Sequence, residues 1–431
     1  MEALVDWQSL GWQSLGWGLG AILLGAAVLQ ALRAVYVARR RLRASQTGCA
    51  QRQQVFDRQL RSALQWVRAA KPIFKAWSGP RSFQVAAVVD EAVDCKSYYL
   101  VPVDGHPLPR FEPGQFLTFS LLVDPHQKPL VRCYSLSDRP HEDYYRITIK
   151  QARPPAGNAE LPFGLGSTYF HQNVHADKTL KVQSPQGAFF LDPTDDAPVV
   201  LIGAGIGITP ILSMAITIAH ERSEQTAYVF AGFGNSREHP FRRQMQELHA
   251  NSENVKFDIS YSRPMPADNL GRDYDHRGYV DVARLRQVLP SNNFRFYVCG
   301  PSGMMETLVP ALRAWGVPES HIRFEAFGPA TVKGMKQVRT TDDIAEGPCQ
   351  VEFLLAGASL AWDGGFESLL DFAESQGVPL DYGCRAGNCG QCIVSVRSGN
   401  VEHIQAPGMP LDENQCLTCI GVPHGDVVLE A

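Results

Sequence analysis

Near its C-terminal end the chain places Cys384, Cys389 and Cys392 in a C-x4-C-x2-C spacing, and that spacing constrains it more than any other feature. It is the plant-type arrangement of thiolates that ligate a 2Fe–2S cluster, with a fourth cysteine expected well downstream. Thiolates are the soft ligands that such iron requires. The small residues Ala386, Gly387 and Gly390 let backbone N–H groups approach the bridging sulfides. Two downstream candidates exist, Cys416 and Cys419. A zinc site is the competing reading, but its usual pair of C-x2-C units is only superficially echoed by Cys416 and Cys419. Ten cysteines in 431 residues are too few for a disulfide scaffold, and five of them fall within 36 residues, a clustering that points to metal.

A chain of 431 residues is expected to hold about three domains. With 45% hydrophobic and 19% charged residues it is neither a disordered chain, a collagen-like repeat nor a polytopic membrane protein. The formal net charge of −4 hides a segregation: residues 39–81 carry eleven basic side chains and one acid, leaving residues 82–431 strongly acidic. A short basic stalk on an acidic body is not expected to bind nucleic acid. Residues 349–431 hold eleven acids against Arg385 and Arg397. Such a surface is read either as simple solubility or as complementary charge that speeds transient docking on a partner.

At the other end, residues 15–29 run without a charge, with weaker apolar character over 10–37. Trp12 and Trp17 precede the run; Tyr36, Arg39, Arg40, Arg41 and Arg43 follow it. About 20 apolar residues span a bilayer, and basic residues collect on the cytoplasmic side, so a single-pass membrane anchor over 1–38 is expected, with the remainder in the cytoplasm. A cleavable signal peptide would carry its basic residues before the apolar run. Over residues 51–70, Phe56, Leu60, Leu64 and Val67 recur at helical spacing, and Pro72 ends the pattern. This basic amphipathic segment would lie on anionic headgroups or pack on the following domain. The WQSLG repeat of residues 7–16 has no functional account.

Between residues 82 and 193, short alternating segments (83–89, 98–103, 115–121, 145–150 and 179–183) are separated by Gly and Pro, the pattern of an antiparallel barrel or sandwich. Here Pro113, Gly114, Gln115 and Phe116 precede Arg132, Tyr134 and Ser135 in R-x-Y-S order, with Thr148 and then Gly166, Ser167 and Thr168 further on. The apolar run 199–202 then meets Gly203, Gly205, Gly207, Thr209 and Pro210 ahead of a helical pattern. A glycine turn between strand and helix exposes N–H groups at a helix N-terminus, a ready pyrophosphate site, although the spacing is not G-x-G-x-x-G. Cys299, Gly300, Pro301 and Met304, and then Glu325, Phe327 and Gly328, complete the set.

In this order the motifs resemble the ferredoxin–NADP reductase family of flavoproteins, over nearly all of residues 82–431. The resemblance implies a multidomain protein: a β-barrel flavin domain (82–193), an α/β nicotinamide domain with a parallel sheet (194–330), a linker (331–348) and a β-grasp ferredoxin domain (349–431), preceded by the anchor (1–38) and a basic juxtamembrane segment (39–81). It implies that Arg132 contacts flavin phosphate, Tyr134 stacks on the isoalloxazine and Ser135 hydrogen-bonds near N5. Thr148, Gly166, Ser167, Thr168 and Phe327 would complete the flavin site. Gly203, Gly205, Gly207, Thr209, Gly300 and Pro301 would admit the nicotinamide, with Cys299 beside the hydride-transfer position. Glu325 is left open between catalysis and structure. The family's L-x-C followed by an acidic strand makes Cys419 the fourth cluster ligand and Cys416 the spare.

The domain order is similar to that of phthalate dioxygenase reductase and the reductase subunit of phenylacetyl-CoA epoxidase. The flavin segments look more like FAD-binding members such as flavohaemoglobins, so FAD is expected rather than FMN. Arg237 and Arg263 would suit the 2′-phosphate of NADPH, but NADH-using members also carry Arg here, and NADH is the favoured donor of the two. The expected activity is transfer of electrons from NAD(P)H through FAD and the 2Fe–2S cluster, one at a time, to a separate oxygenase or desaturase component. Direct reduction of quinone or another small acceptor is the alternative.

Overall fold

The computed structural model describes residues 77, 79–124, 129–154, 160, 162–327, 348–383, 385–387, 390–404, 407 and 411–431. They form three sheets.

The first is built from β1 (Arg81–Ala92), β2 (Cys95–Pro102), β3 (Phe116–Leu121), β4 (Leu130–Ser135), β5 (Tyr145–Lys150) and β6 (Thr179–Val182), in the order β4-β3-β6-β1-β2-β5. All its pairings are antiparallel. From Arg81 to Val88 burial alternates residue by residue, as a strand with one face on a core requires. A bridge between Leu136 and Ile147 joins the two edges and closes the sheet into a barrel. Helix α1 (Leu165–Asn173) plugs it. Phe170 of α1 meets Tyr98, Phe119 and Tyr134 edge-on at centroid distances of 5.0–5.3 Å, a packing that uses the ring quadrupole as well as the buried area.

The second sheet is wholly parallel, with the order β10-β9-β8-β7-β11-β12. Its strands are β7 (Val199–Ala204), β8 (Ala227–Phe233), β9 (Val255–Tyr261), β10 (His276–Arg277), β11 (Arg295–Gly300) and β12 (Ile322–Ala326). Helices α2 (Ile208–Glu221), α3 (Arg242–Asn251), α4 (Val282–Val288) and α5 (Ser302–Ala314) lie between them in sequence. Val199 and Leu201 face one core while Val200 and Ile202 face another. That is why the run reads as continuously apolar rather than alternating. Strand order reverses at β7/β11, the switch point where open parallel sheets bind ligands.

The third sheet comprises β13 (Cys349–Phe353), β14 (Ala358–Trp362), β15 (Ile393–His403), β16 (Gln415–Leu417) and β17 (Gly421–Glu430), ordered β14-β13-β17-β15-β16. Only β13 and β17 pair in parallel. This domain contributes helix α6 (Leu369–Ser375), capped by the Ser368 hydroxyl accepting from the Asp371 N–H at 3.2 Å. Leu369 and Phe372 of α6 seat it on the sheet's core.

One expected element requires correction. Among the described residues no helix is long and apolar enough to cross a membrane. The single N-terminal transmembrane helix, and the single-pass membrane localisation derived from it, are therefore withdrawn from the fold assignment. The segment on which they rested, residues 1–38, lies outside the described residues, as does the basic segment 51–70. The physical weakness of that reading is compositional: seven of the fifteen residues in 15–29 are Gly or Ala, which give a helix little transfer energy and, for Gly, poor propensity.

Candidate functional site

A cavity of about 960 Å³ opens where the three sheets meet, at the upper end of the size of small-molecule and cofactor sites. The barrel supplies Arg132, Tyr134 and Ser135 from β4, Thr148 from β5, and Gly166 and Ser167 from α1. The parallel domain supplies Ile206, Thr209, Glu325 and Phe327, and the third domain supplies Leu380, Tyr382, Gly383, Arg385 and Ala386. Strand β4 carries Arg132 and Tyr134 on alternate positions of one face, which is why R-x-Y-S presents both to the same space.

At the barrel wall, α1 begins at Gly164 with no side-chain cap, so its first amides face the cavity without a local acceptor. Gly166 is held against Arg132 and Tyr134; a Cβ there would lie 2.8 Å from Arg132 Cγ and 2.9 Å from the Tyr134 hydroxyl oxygen. The Ser167 hydroxyl donates to the Gly164 carbonyl and accepts from the Ala152 N–H. A guanidinium beside an open helix N-terminus is a donor set fitted to phosphate. Burial pushes the Tyr134 phenol well above its usual range, so its ring is a neutral aromatic face. This wall fits a flavin nucleotide.

At the parallel domain, Gly207 is pressed onto β11. A Cβ at that position would lie 2.3 Å from the Cys299 carbonyl oxygen and 2.7 Å from the Gly300 nitrogen. The Thr209 hydroxyl closes the turn by donating to the Ile206 carbonyl at 2.9 Å. Cys299 is fully buried and pairs in register with Glu325 across β11 and β12. Burial first, and then the neighbouring Glu325, raise the Cys299 thiol well above its ordinary value. Glu325 is itself buried, its Oε2 has no hydrogen-bond partner, and burial lifts its carboxyl to about 8. Gly203, Gly205, Gly300 and Pro301 flank this crevice without lining the cavity, and Thr168 sits one residue deeper in α1.

The third domain closes the cavity. Arg132 Nη1 donates to the Gly383 carbonyl at 3.4 Å across 251 residues of sequence. Arg385 stacks over Tyr382, 4.1 Å from the ring centroid, and pairs with Glu374 of α6. Of the four expected cluster ligands, Cys392 and Cys419 are described and Cys384 and Cys389 lie outside the described residues. Cys392 and Cys419 share a small core with Ala386, Leu417 and Ile420, and the Gly387 N–H donates to Cys419 Sγ at 3.3 Å. Gly387 adopts φ +72°, which aims that N–H at the sulfur. Cys416 belongs instead to the core under β13 and β17. Amide donation to a buried thiolate suits an iron–sulfur centre at Cys392 and Cys419.

Sequence reasoning therefore brought together the residues of two walls and missed the third. It also left Glu325 undecided; the signal was present as an acid inside an otherwise apolar strand end.

Two family descriptions match the chain: an oxidoreductase NAD-binding domain over residues 201–309 and a 2Fe–2S iron–sulfur cluster binding domain over residues 359–424. The flavohaemoprotein of Halalkalibacterium halodurans is 35% identical over 254 residues, 59% of this chain and 61% of that protein. The chain thus spans about three fifths of the length of the curated relatives it matches. The flavohaem-like FAD/NAD-binding domain of nitric oxide dioxygenase from Vibrio cholerae O1 biovar El Tor is 31% identical, with a TM-score of 0.51 over 58% of this chain and all of that one. An intact type IV self-sufficient cytochrome P450 monooxygenase matches 84% of this chain and 43% of its own at 19% identity and a TM-score of 0.57, a likeness of fold.

Fold and site together define a flavin- and nicotinamide-dependent oxidoreductase joined to an iron–sulfur domain. The chain belongs to the ferredoxin–NADP reductase family of flavoproteins, with a C-terminal 2Fe–2S ferredoxin domain, and its cofactors are FAD, NAD(P)H and the 2Fe–2S cluster.

Proposed function

We propose that the protein is an NAD(P)H-dependent reductase that passes electrons singly, through FAD and the 2Fe–2S cluster, to a separate redox protein of the oxygenase or desaturase type. The observation that supports this reading most is that residues 380–383 with Arg385 and Ala386, next in sequence to the cluster cysteines, line the same cavity as the barrel's Arg132 and Tyr134 and the parallel domain's Glu325 and Phe327. Flavin, when bound, accepts two electrons from nicotinamide and releases them one at a time, the conversion that a one-electron centre needs.

On this reading Arg132 and the first amides of α1, at Gly166 and Ser167, hold the flavin phosphates with the Thr168 side chain beside them, Tyr134 and Phe327 bracket the ring, and Ser135 and Thr148 present hydroxyls to its polar edge. Gly203, Gly205, Gly207 and Thr209 with Gly300 and Pro301 form the nicotinamide crevice, where Cys299 bounds the hydride path. Cys384, Cys389, Cys392 and Cys419 hold the cluster. The domains run over 82–193, 194–330 and 349–431, joined by 331–348. The preferred donor is NADH: the loop after β8 carries Glu238 and the loop after β9 brings Asp268 against it, with the Ser236 N–H donating to Asp268 and Arg263 within 3.5 Å of Glu238.

The test compares two cysteines three residues apart. Cys419→Ser is expected to lose the iron–sulfur electron-spin signal and cytochrome c reduction while keeping ferricyanide reduction, which draws directly on flavin. Cys416→Ser is expected to keep all three. Stoichiometric zinc without iron in the parent protein, or the opposite pattern in the two variants, overturns the reading.

A further inference from the structure

Thr148 is the cavity end of a buried hydrogen-bonded chain that the roles above do not use. Its hydroxyl lies 2.8 Å from the Ser137 hydroxyl and 2.8 Å from the Ser97 hydroxyl, and Ser97 donates to Glu91 Oε1 at 2.6 Å. Ser97, Ser137 and Thr148 are almost wholly buried, whereas Glu91 is half-buried at the end of β1. The two termini fix the direction of the chain. Arg146 Nε donates to Ser137 Oγ at 3.2 Å and has no acceptor role, and the Glu91 carboxylate has no proton to give. Each hydroxyl has one proton: that of Ser97 goes to Glu91, so Thr148 donates to Ser97, which leaves Ser137 to donate across the Thr148 contact, its hydroxyl also lying 3.2 Å from the Arg146 carbonyl as a second acceptor. The result is a polarised file of hydroxyls running from the cavity wall to a carboxylate that reaches solvent.

We infer that Thr148, Ser97 and Glu91 form the proton exit of the reductase. The inference rests on the function proposed above, whose balance requires such an exit. One NAD(P)H and two oxidised one-electron acceptors give NAD(P)+, two reduced acceptors and one proton. The electrons leave toward the third domain, which covers one side of the cavity with Leu380, Tyr382 and Gly383. The proton needs a separate path, and a hydroxyl file supplies one by handing a proton to each neighbour in turn. Thr148 takes the proton released in the cavity, its own passes to Ser97, and that of Ser97 passes to Glu91, which gives it to water. The groups facing Glu91 are Ser97, Tyr99 and Cys95 of β2 and Arg146 of β5.

The experiment mixes the flavin- and iron-loaded full chain rapidly with NADH and excess ferricyanide. Proton release is followed with a pH-indicator dye, and flavin reoxidation by its own absorbance. In the parent protein the two time courses are expected to coincide. In Glu91→Gln, which keeps the hydrogen-bonded shape but cannot carry the proton, release is expected to lag by about tenfold. Formate, a small carboxylate, is expected to restore it. Ser97→Ala is expected to lag likewise and Ser97→Thr to recover. Flavin content and visible spectrum report whether each variant is loaded, and Glu91→Gln decides the matter should Ser97→Ala not load. Release from Glu91→Gln on the parent time course overturns the relay, as does a lag that formate leaves untouched, which marks a structural role. A parent protein whose flavin is not reduced by NADH overturns the underlying function and the relay with it, and is distinguished because it fails before any variant is made.

Discussion

On the barrel wall of the cavity, Ser97, Ser137 and Thr148 are buried and bonded to one another, and Arg146 is held by Ser137 and Asp138. On the wall formed by β11 and β12, Glu325 is buried with an unpartnered Oε2 beside a fully buried Cys299. Both walls bury polar side chains, but the hydroxyls of the first are bonded to one another, whereas the Glu325 Oε2 of the second has no partner. A buried carboxylate with no partner is costly when ionised, so it keeps its proton up to about pH 8 instead. The contrast separates two kinds of site. A wall whose buried hydroxyls are bonded to one another is rigid and suits a resident cofactor. A wall with an unsatisfied donor or acceptor gains a partner only when a ligand enters, which suits a substrate that comes and goes.

The sharpest way to break the comparison uses one glycine from each wall. In Gly207→Ala the added methyl meets the Cys299 carbonyl oxygen at 2.3 Å, a backbone atom that no rotamer change can move. The β7/β11 crevice must spread, and a displacement near 1 Å costs about a hundredfold in rate when it misplaces reacting groups. Flavin reduction by NADH in rapid mixing should fall by about that factor with flavin content retained. In Gly166→Ala the methyl meets Arg132 Cγ and the Tyr134 hydroxyl, side-chain atoms that can swing aside. Flavin retention should weaken while the hydride rate per bound flavin stays within about threefold of the parent. Equal loss of hydride rate in both variants would end the distinction between resident and transient walls.

Much of this was legible in one dimension because the chemistry is carried by backbone conformation. Glycine turns, R-x-Y-S and C-x4-C-x2-C each require particular residues at fixed offsets, and the strands that position them follow alternating or continuous apolar runs. The missing parts share a different cause. The contact of Arg132 with Gly383 spans 251 residues, and no local pattern encodes it. The Thr148–Ser97–Glu91 file joins three strands through hydroxyls that, taken singly, read as ordinary strand residues. The expected membrane helix has the opposite weakness: it rests on hydropathy over residues 1–38 alone, and no helix among the described residues can cross a membrane. Cys416 and Cys419 were separated by family likeness alone. Their physical separation, into the core under β13/β17 and the core around Ala386, appears only once the third sheet is folded.

A second measurement sharpens the comparison through pH. Because the Glu325 carboxyl is raised from 4.5 to about 8 in the folded protein, folding retains a proton that the unfolded chain gives up above pH 4.5. The stability associated with it is fully present below about pH 4.5 and is lost progressively as pH rises toward 8, with no further slope beyond. Glu325→Gln should remove this slope, so that thermal unfolding curves of the variant and parent diverge between pH 5 and 8, by at most a few kcal/mol at the upper end. The variant should be the more stable at pH 8. Parallel pH profiles for the two proteins would mean that Glu325 is satisfied in solution, and the wall of β11 and β12 would then be as complete as the barrel's.

The smallest expected effect lies at the far end of the same wall, where the dinucleotide's adenosine half would reach the loop after β8. Glu238 sits against Gly234, where a Cβ would come 2.6 Å from its Oε2, and Oε1 accepts from Asn235 Nδ2 at 3.1 Å. Asp268 Oδ2 accepts from the N–H groups of Ser236 and Met265. These bonds hold both carboxylates in place, so neither is free to swing away from an incoming phosphate. Arg237 and Arg263 are the neighbouring cations, and Arg263 is drawn toward Glu238 at 3.5 Å. A 2′-phosphate would bring nearly two negative charges to this pair of acids, whereas a 2′-hydroxyl would bring a hydrogen-bond donor that a carboxylate accepts. Glu238→Gln keeps the bond from Asn235 and removes the charge, and it releases Arg263 to meet a phosphate. Because Arg263 is exposed and Glu238 only half-buried, the change is worth about 1 kcal/mol, or about fivefold in the ratio of kcat/KM for NADH over NADPH. The shift should come from NADPH improving rather than from NADH weakening, and it should shrink as salt is raised from low to physiological strength, since screening acts on the charge and not on the hydroxyl contact. A ratio that falls because NADH activity is lost would show Glu238 acting as a ribose ligand with no electrostatic share. An unchanged ratio would place donor selection outside this loop, and the open wall would then choose its substrate at the crevice of Gly207 and Glu325 alone.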